Sequence, residues 1–353
     1  MSEQAKLYIA AVGMITPIGA NTAMTAAAVR AGVSGFRNTA FYLDEDDHIR
    51  MALVPRDALD ISLNEDALPE DYSARQIRLL QLAALALAEL RPRLPAKLKL
   101  PLFIAGPEPL IEGDPPINRA FLENLIKQTG VDLDLALSRI IATGRAGGLT
   151  AVQLAFRFLA NSSENYALVG GVDTFYDGAM VQLLHKDDRL LAGGNMDGFM
   201  PGEGAGFVLL SRHPVPVNAQ GDKTVCVYEP GSGSERGHRG STEPYRGDGL
   251  AGALRIALDN AQTPKIKTLY SSMNGEHFFA KEHGVAMVRN RERLEENLKV
   301  EHPADCLGDL GAAFAPVILG IAANDIPNRK LATPCAVCCS SDREPRSAVV
   351  LHG

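Results

Sequence analysis

The chain has no tryptophan and no apolar stretch long enough to cross a bilayer, so a helical membrane span is excluded. It has no basic run either. Acidic residues outnumber lysine and arginine by 42 to 35, a net charge of −7, which argues against nucleic acid and anionic membrane as main partners. Cysteine is scarce and odd in number: Cys226, Cys306, Cys335, Cys338 and Cys339 come with no secretory context, which argues against a disulfide framework. Cys335 and Cys338 have C-x-x-C spacing but lack a second ligand pair or a thioredoxin-like setting. They read as buried structural thiols, and no metal or cofactor is expected. The segment Met1–Lys6 lacks the charged and apolar regions of a signal peptide, so the expected location is cytoplasmic.

What is present is small and apolar. Hydrophobic residues make up 46% of 353, enough for one large or two medium domains with a sizeable core. Ala/Leu-rich periodicity predicts helices over 20–32 and 73–92, with further helices over 117–129, 250–262 and 311–323. Continuous apolar runs at 102–105, 167–170 and 206–210 predict buried strands, as do 224–228, 268–272 and 347–351. The alternation is that of an α/β fold. The Gly/Ser-rich stretch 231–242 lacks the lysine of a P-loop and reads as a solvated loop that a partner would order. Charges alternating at helical spacing over 289–297 read as an exposed helix face.

Three motifs carry chemistry: Ile141-Ala142-Thr143-Gly144-Arg145-Ala146-Gly147-Gly148-Leu149, then Gly170-Gly171-Val172-Asp173, then Pro201-Gly202-Glu203-Gly204-Ala205-Gly206. In this order they resemble the nucleophile turn, the GGVD turn and the GEGAG turn of the β-ketoacyl synthases, in the thiolase-like superfamily. Residues 7–19 resemble that family's first strand and its TPLG turn. The resemblance implies a duplicated fold of two mixed β-sheets in an α-β-α-β-α sandwich. Its halves would be residues 1–211 and 212–353, joined at the Pro-rich Arg212–Val217.

The same resemblance marks degenerate catalytic positions. Arg145 stands in the slot of the acyl-accepting cysteine, and a guanidinium that stays protonated is no nucleophile. Asn274 stands for the first histidine and Asp309 for the second, with Ala304 in the lysine slot; asparagine exchanges no proton near neutral pH. The glycine-rich loop expected near Cys339–Asp342 lacks its glycines. At a helix N-terminus a cation is disfavoured, so Arg145 should turn to a carboxylate, to water or to a partner, and Asp309 is the expected ion-pair partner. His277, His283 and Glu276 follow the Asn274 turn and are the remaining acid-base candidates; the histidines read as surface or capping residues.

The implied function is that of a pseudoenzyme. Inactive ketosynthase-like proteins resembling this one accompany effectors and loading chaperones in bacterial type VI secretion, which implies a scaffold, adaptor or chaperone partner. The alternative is a non-catalytic partner of an active ketosynthase, similar to a chain-length factor. A third possibility, an acyl-thioester-binding enzyme with altered chemistry, is opposed by Asn274 and Asp309. Either way the resemblance implies a homodimer or heterodimer, formed through the strand at Leu137–Thr143.

Overall fold

The computed structural model describes residues 5–43, 47–59, 61, 63–96, 98–217 and 223–353. Met1–Gln4 of the segment considered for a signal peptide lie outside the described residues. The first part of the chain carries β1 (Lys6–Ile15), α1 (Thr22–Arg30), β2 (Phe36–Tyr42), β3 (His48–Ala52), α2 (Ala74–Leu90) and β4 (Leu102–Ala105). It continues with α3 (Arg119–Thr129), β5 (Arg139–Ile141), α4 (Gly147–Ala160), β6 (Tyr166–Thr174), α5 (Gly178–Lys186) and β7 (Glu203–Ser211). The second part carries β8 (Cys226–Tyr228), β9 (Gly231–Ser234), α6 (Asp248–Ala261), β10 (Ile266–Ser271), α7 (His277–Arg289) and β11 (Leu294–Glu301). It closes with α8 (Ala304–Leu307), α9 (Phe314–Asp325), β12 (Cys335–Ser340) and β13 (Pro345–His352).

Local chemistry sets the helix starts. Asn21, Ser73, Asn118 and Asp177 each accept a hydrogen bond from the backbone N–H three residues on, which satisfies a donor the helix leaves free. Ser73 and Gln76 complete a reciprocal capping box at α2.

Strand pairing repeats itself. In the order β5-β4-β6-β7-β1 the contacts are parallel, parallel, antiparallel, antiparallel. The order β11-β10-β12-β13-β9 has the same signs. Strand β8 pairs with both β1 and β13, so the two half-sheets join in one 11-stranded network.

Helices layer these strands. Helices α2 and α3 cover the outer face of the first half-sheet with Leu79, Leu82, Leu87 and Phe121. Helices α4 and α9 fill the middle, where Leu149, Val152, Val317 and Ile318 share a core with Val169, Val208, Val337 and Val349. Helix α6 covers the far face through Leu250, Leu254 and Leu258. Each fully buried aliphatic side chain contributes about 1.5–3 kcal/mol, so this central layer is a principal source of stability. The GGVD and GEGAG glycines make it possible: a Cβ on Gly171 would lie 2.3 Å from the carbonyl oxygen of Ala312, and one on Gly206 would lie 2.8 Å from the amide nitrogen of Val317.

Two local expectations are corrected. Residues 231–234 form strand β9 rather than a solvated loop, because a Cβ on Gly231 or Gly233 would lie 2.1 Å from backbone oxygens of α6. These glycines supply thinness, not flexibility. Residues 289–297 are not one helix face: α7 stops at Arg289 and β11 begins at Leu294. The apolar side chains Leu294, Leu298 and Val300 join the core beneath α6, and that tertiary packing overrides the local helical spacing.

Candidate functional site

Seven charged side chains gather at the carboxyl ends of the parallel strands, where open α/β sheets place their ligand sites. Glu108 follows β4, Arg145 follows β5, Asn274 and Glu276 follow β10, and Asp342 follows β12. Asp309 comes from the turn after α8, Arg189 from the loop after α5, and Arg239 from the segment after β9. Arg145 sits on a short 3-10 turn, Gly144–Ala146, whose first residue has φ +58°, a conformation that favours glycine.

Arg145, Asn274 and Asp309, the three positions singled out in the sequence, meet. Arg145 Nη1 donates to Asp309 Oδ2 at 2.5 Å, and Asn274 Nδ2 donates to the same oxygen at 2.8 Å. The other Asp309 oxygen accepts from the Gly311 N–H at 2.9 Å. Arg145 also donates to the Ser340 carbonyl at 2.7 Å and forms a short ion pair with Asp342. Its guanidinium lies over the Phe279 ring, 4.6 Å from the centroid. Among the described residues, the groups that hold the arginine are therefore carboxylates, a carbonyl and an aromatic face.

A second arginine, with no motif around it, completes the network. Arg189 forks between Asp342 (2.6 and 3.0 Å) and Glu276 (3.0 and 2.7 Å). Glu276 also accepts from Asn274 at 3.0 Å and pairs with Arg239 at 2.8 Å. Glu276, proposed among the acid-base candidates, is thus fully committed as an acceptor. The two histidines proposed with it lie elsewhere: His277 is exposed beside Asp197, and His283 stacks edge-on against His302. Burial and then His302 push His283 down to about 4, which keeps it neutral near pH 7. Among the described residues no imidazole is hydrogen-bonded into the cluster.

Burial and neighbouring charges shift several of these groups. Burial works against the charged forms, but Asp309 and Asp342 outweigh it and hold the Arg145 guanidinium above its ordinary value. Burial likewise opposes ionisation of Asp342, yet Arg145 and Arg189 hold its carboxyl well below the usual carboxylate range. Glu108 accepts from the backbone N–H groups of Asp342 and Arg343; burial and then the Asp342 charge push it up, against Arg145. Asp173, the acid of the GGVD turn, is raised to about 6 by burial, against Arg75 and the Ala312 N–H. Cys339 precedes the Ser340 carbonyl that Arg145 holds, and burial drives its thiol well above the ordinary value despite that arginine. A buried thiol of this kind is inert.

Little space remains. The cavity beside Arg145, Glu108, Asp173 and Asp342 is about 20 Å³, room for about one water molecule, whereas small-molecule sites run to about 300–1,000 Å³. A wider groove of about 700 Å³, lined by Arg189, His238, Arg239 and Arg343, opens on the other side of Asp342. Asp342, paired with both Arg145 and Arg189, lines the two, as does Leu110.

The fold is that of thiolase-like ketosynthases. The family described as Beta-ketoacyl synthase, N-terminal domain matches residues 136–215, which hold the Arg145 turn and both glycine motifs. A chain of the ishigamide ketosynthase/chain length factor superposes with a TM-score of 0.75 at 18% identity, over 99% of this chain and 100% of that one. The structure of a ketosynthase in complex with its chain length factor from Xenorhabdus doucetiae gives a TM-score of 0.72 at 18% identity, over 99% and 98% of the two chains. The ketosynthase from module 6 of the bacillaene synthase of Bacillus subtilis 168 gives 0.74 at 14% identity, over 98% of this chain and 71% of that one. In sequence, a mycocerosic acid synthase-like polyketide synthase of Mycobacterium tuberculosis is 31% identical over 128 residues, 34% of this chain and 6% of that protein. Probable polyketide synthase 17 of Dictyostelium discoideum is 28% identical over 112 residues, 30% of this chain and 4% of its own length.

The shifted carboxyl groups predict a pH dependence. Asp342 has a folded value below its unfolded value, so its stabilisation is present above about pH 3.9 and is lost as pH falls further. The stability gap between the native protein and Asp342→Asn, measured by urea unfolding, should be wide at pH 7 and close below about pH 4. Asp173 has the opposite sign: raised to about 6, it weakens the fold as pH rises from about 4 to 6, and Asp173→Asn should remove that slope.

Proposed function

We propose that this chain is a catalytically silent ketosynthase-fold protein that works by pairing with another protein. The observation that carries this reading is Arg145 itself: the nucleophile position holds a cation bound by Asp309, Asp342 and the Ser340 carbonyl in a space with room for about one water molecule. A covalent acyl step needs an activated nucleophile and a proton acceptor beside it, and this cluster offers a guanidinium, an amide and committed carboxylates.

The non-catalytic partner of an active ketosynthase is the form of this reading with most support. Two of the similar structures are those of ketosynthases with chain length factors. The edge strand β5 provides a pairing surface, since its outer side is unpaired among the described residues and neighbouring Leu137 is 41% exposed. A scaffold or chaperone partner in type VI secretion needs the same silent site and the same free edge.

Incubation with acyl- and malonyl-thioesters, followed by intact-mass measurement and product assay, should give no covalent adduct and no turnover. An adduct or product that disappears on changing Arg145 or Asp309 would overturn the silent-site reading. Affinity purification from the native host separates the partner classes: a co-purifying ketosynthase or acyl carrier protein supports the first, a toxin or secretion chaperone the second.

A further inference from the structure

At the opposite end of the parallel strands from the charged cluster, the acidic protein inverts its charge. A groove of about 920 Å³ opens where β10 begins and α9 ends, lined by the five cations Lys223, Lys267, Lys299, Arg329 and Lys330, with Glu295 and Gly353 also on its wall. Its floor is apolar, with Ile326 and Leu331. Lys299 pairs with Glu301, and Lys223 donates to the Pro327 carbonyl at 2.6 Å. Among the described residues Lys267, Arg329 and Lys330 have no carboxylate within ion-pair distance, and all three are exposed. Unpaired cations crowded in a concavity repel one another and focus a positive potential outward, a cost that an anionic partner would relieve.

The shape of the site selects the kind of anion. Four of the five cations are lysines, point charges on flexible stems, spread over the approach to β8, over β10 and β11, and over the turn after α9. The groove also lies at the carboxyl end of α9, where the helix dipole is negative and no ring of backbone N–H groups converges. Both features disfavour a compact phosphate and suit carboxylates distributed along a chain. Strand β11 forms one wall, and it is the edge of the sheet. Asn297 and Lys299 line the cationic groove, Leu294, Glu296 and Leu298 line a second groove of about 530 Å³ with Met287 and Val288, and Glu295 borders both. Val288 is 70% exposed there.

We propose that the β11 edge takes an extended acidic segment of a partner protein, whose carboxylates face the lysine groove and whose alternate apolar side chains face Met287 and Val288. The period of two in a strand supplies both faces at once, and backbone hydrogen bonds to the free edge would set the register. This reading is independent of the silent site.

Fluorescence anisotropy with a labelled ten-residue peptide of alternating Glu and Val tests it. Binding is expected in the micromolar range at 50 mM salt and should weaken at 300 mM. It should weaken at least tenfold in Lys267→Glu/Lys330→Glu, and should be absent for the Lys/Val peptide and for a backbone N-methylated Glu/Val peptide. Arg343→Glu, at the other groove, should leave it unchanged. Both variants change exposed side chains, and an unaltered thermal melt confirms that each is folded. Binding that the double reversal leaves within twofold overturns the assignment. So does displacement by equimolar inorganic phosphate, or equal binding of the N-methylated peptide.

Discussion

Arg145→Met is expected to destabilise the protein by about 3–5 kcal/mol, because it leaves Asp309 and Asp342 charged and buried without their shared cation. The side chains are 4% and 1% exposed at the Arg145–Asp309 pair, so solvent screens little of the loss. Methionine replaces most of the stem volume, so the cost reports on charge rather than on a cavity. The double variant Arg145→Met/Asp309→Asn should recover much of the stability, since it removes the cation together with the carboxylate that has no other ion pair among the described residues and leaves Asp342 paired with Arg189. Urea unfolding of both variants checks this. A single variant within about 1 kcal/mol of the native protein would mean that the cluster is hydrated and not a plug.

Glu282→Ala should cost a similar amount, about 3–5 kcal/mol, at a site without any motif. Glu282 and Arg346 form an ion pair at 2.7 Å with both side chains at 0% exposure. Removing the acid strands a fully buried guanidinium. Arg346 also donates to the carbonyls of Ser341, Arg343 and Pro345, which shape the turn that carries Asp342. The variant should therefore loosen the Arg145 cluster as well as the fold. Faster amide hydrogen exchange over residues 339–346 than in a matched control such as Arg293→Ala would show the link. Equal exchange in the two would separate the pair from the site.

The scaffold was readable because its signals are local and repeated. The helix at 73–92 is an amphipathic run behind a Ser73 cap, and the observed helix covers Ala74–Leu90. The strand at 102–105 is a four-residue apolar run buried on both faces, and it was found at those bounds. Residues 231–234 and 289–297 misled because composition describes what a segment tolerates, whereas its neighbours decide what it does. Thin glycines and alternating charges fit a packed strand as well as they fit a loop or a helix.

The site divides in the same way. Arg145, Asn274 and Asp309 were identified through the family resemblance, which assigns each of them a slot. Arg189, Arg239 and Glu108 were not, since they enter from loops with no periodic or motif signal. The sequence by itself determined the α/β alternation, the glycine positions that admit α9, and a cation at the head of α4. A charge is written in the residue, but its partners are not. Only the tertiary structure, by closing two half-sheets around one helical layer, brought carboxylates 164 and 197 residues away onto that cation and left room for about one water molecule beside it.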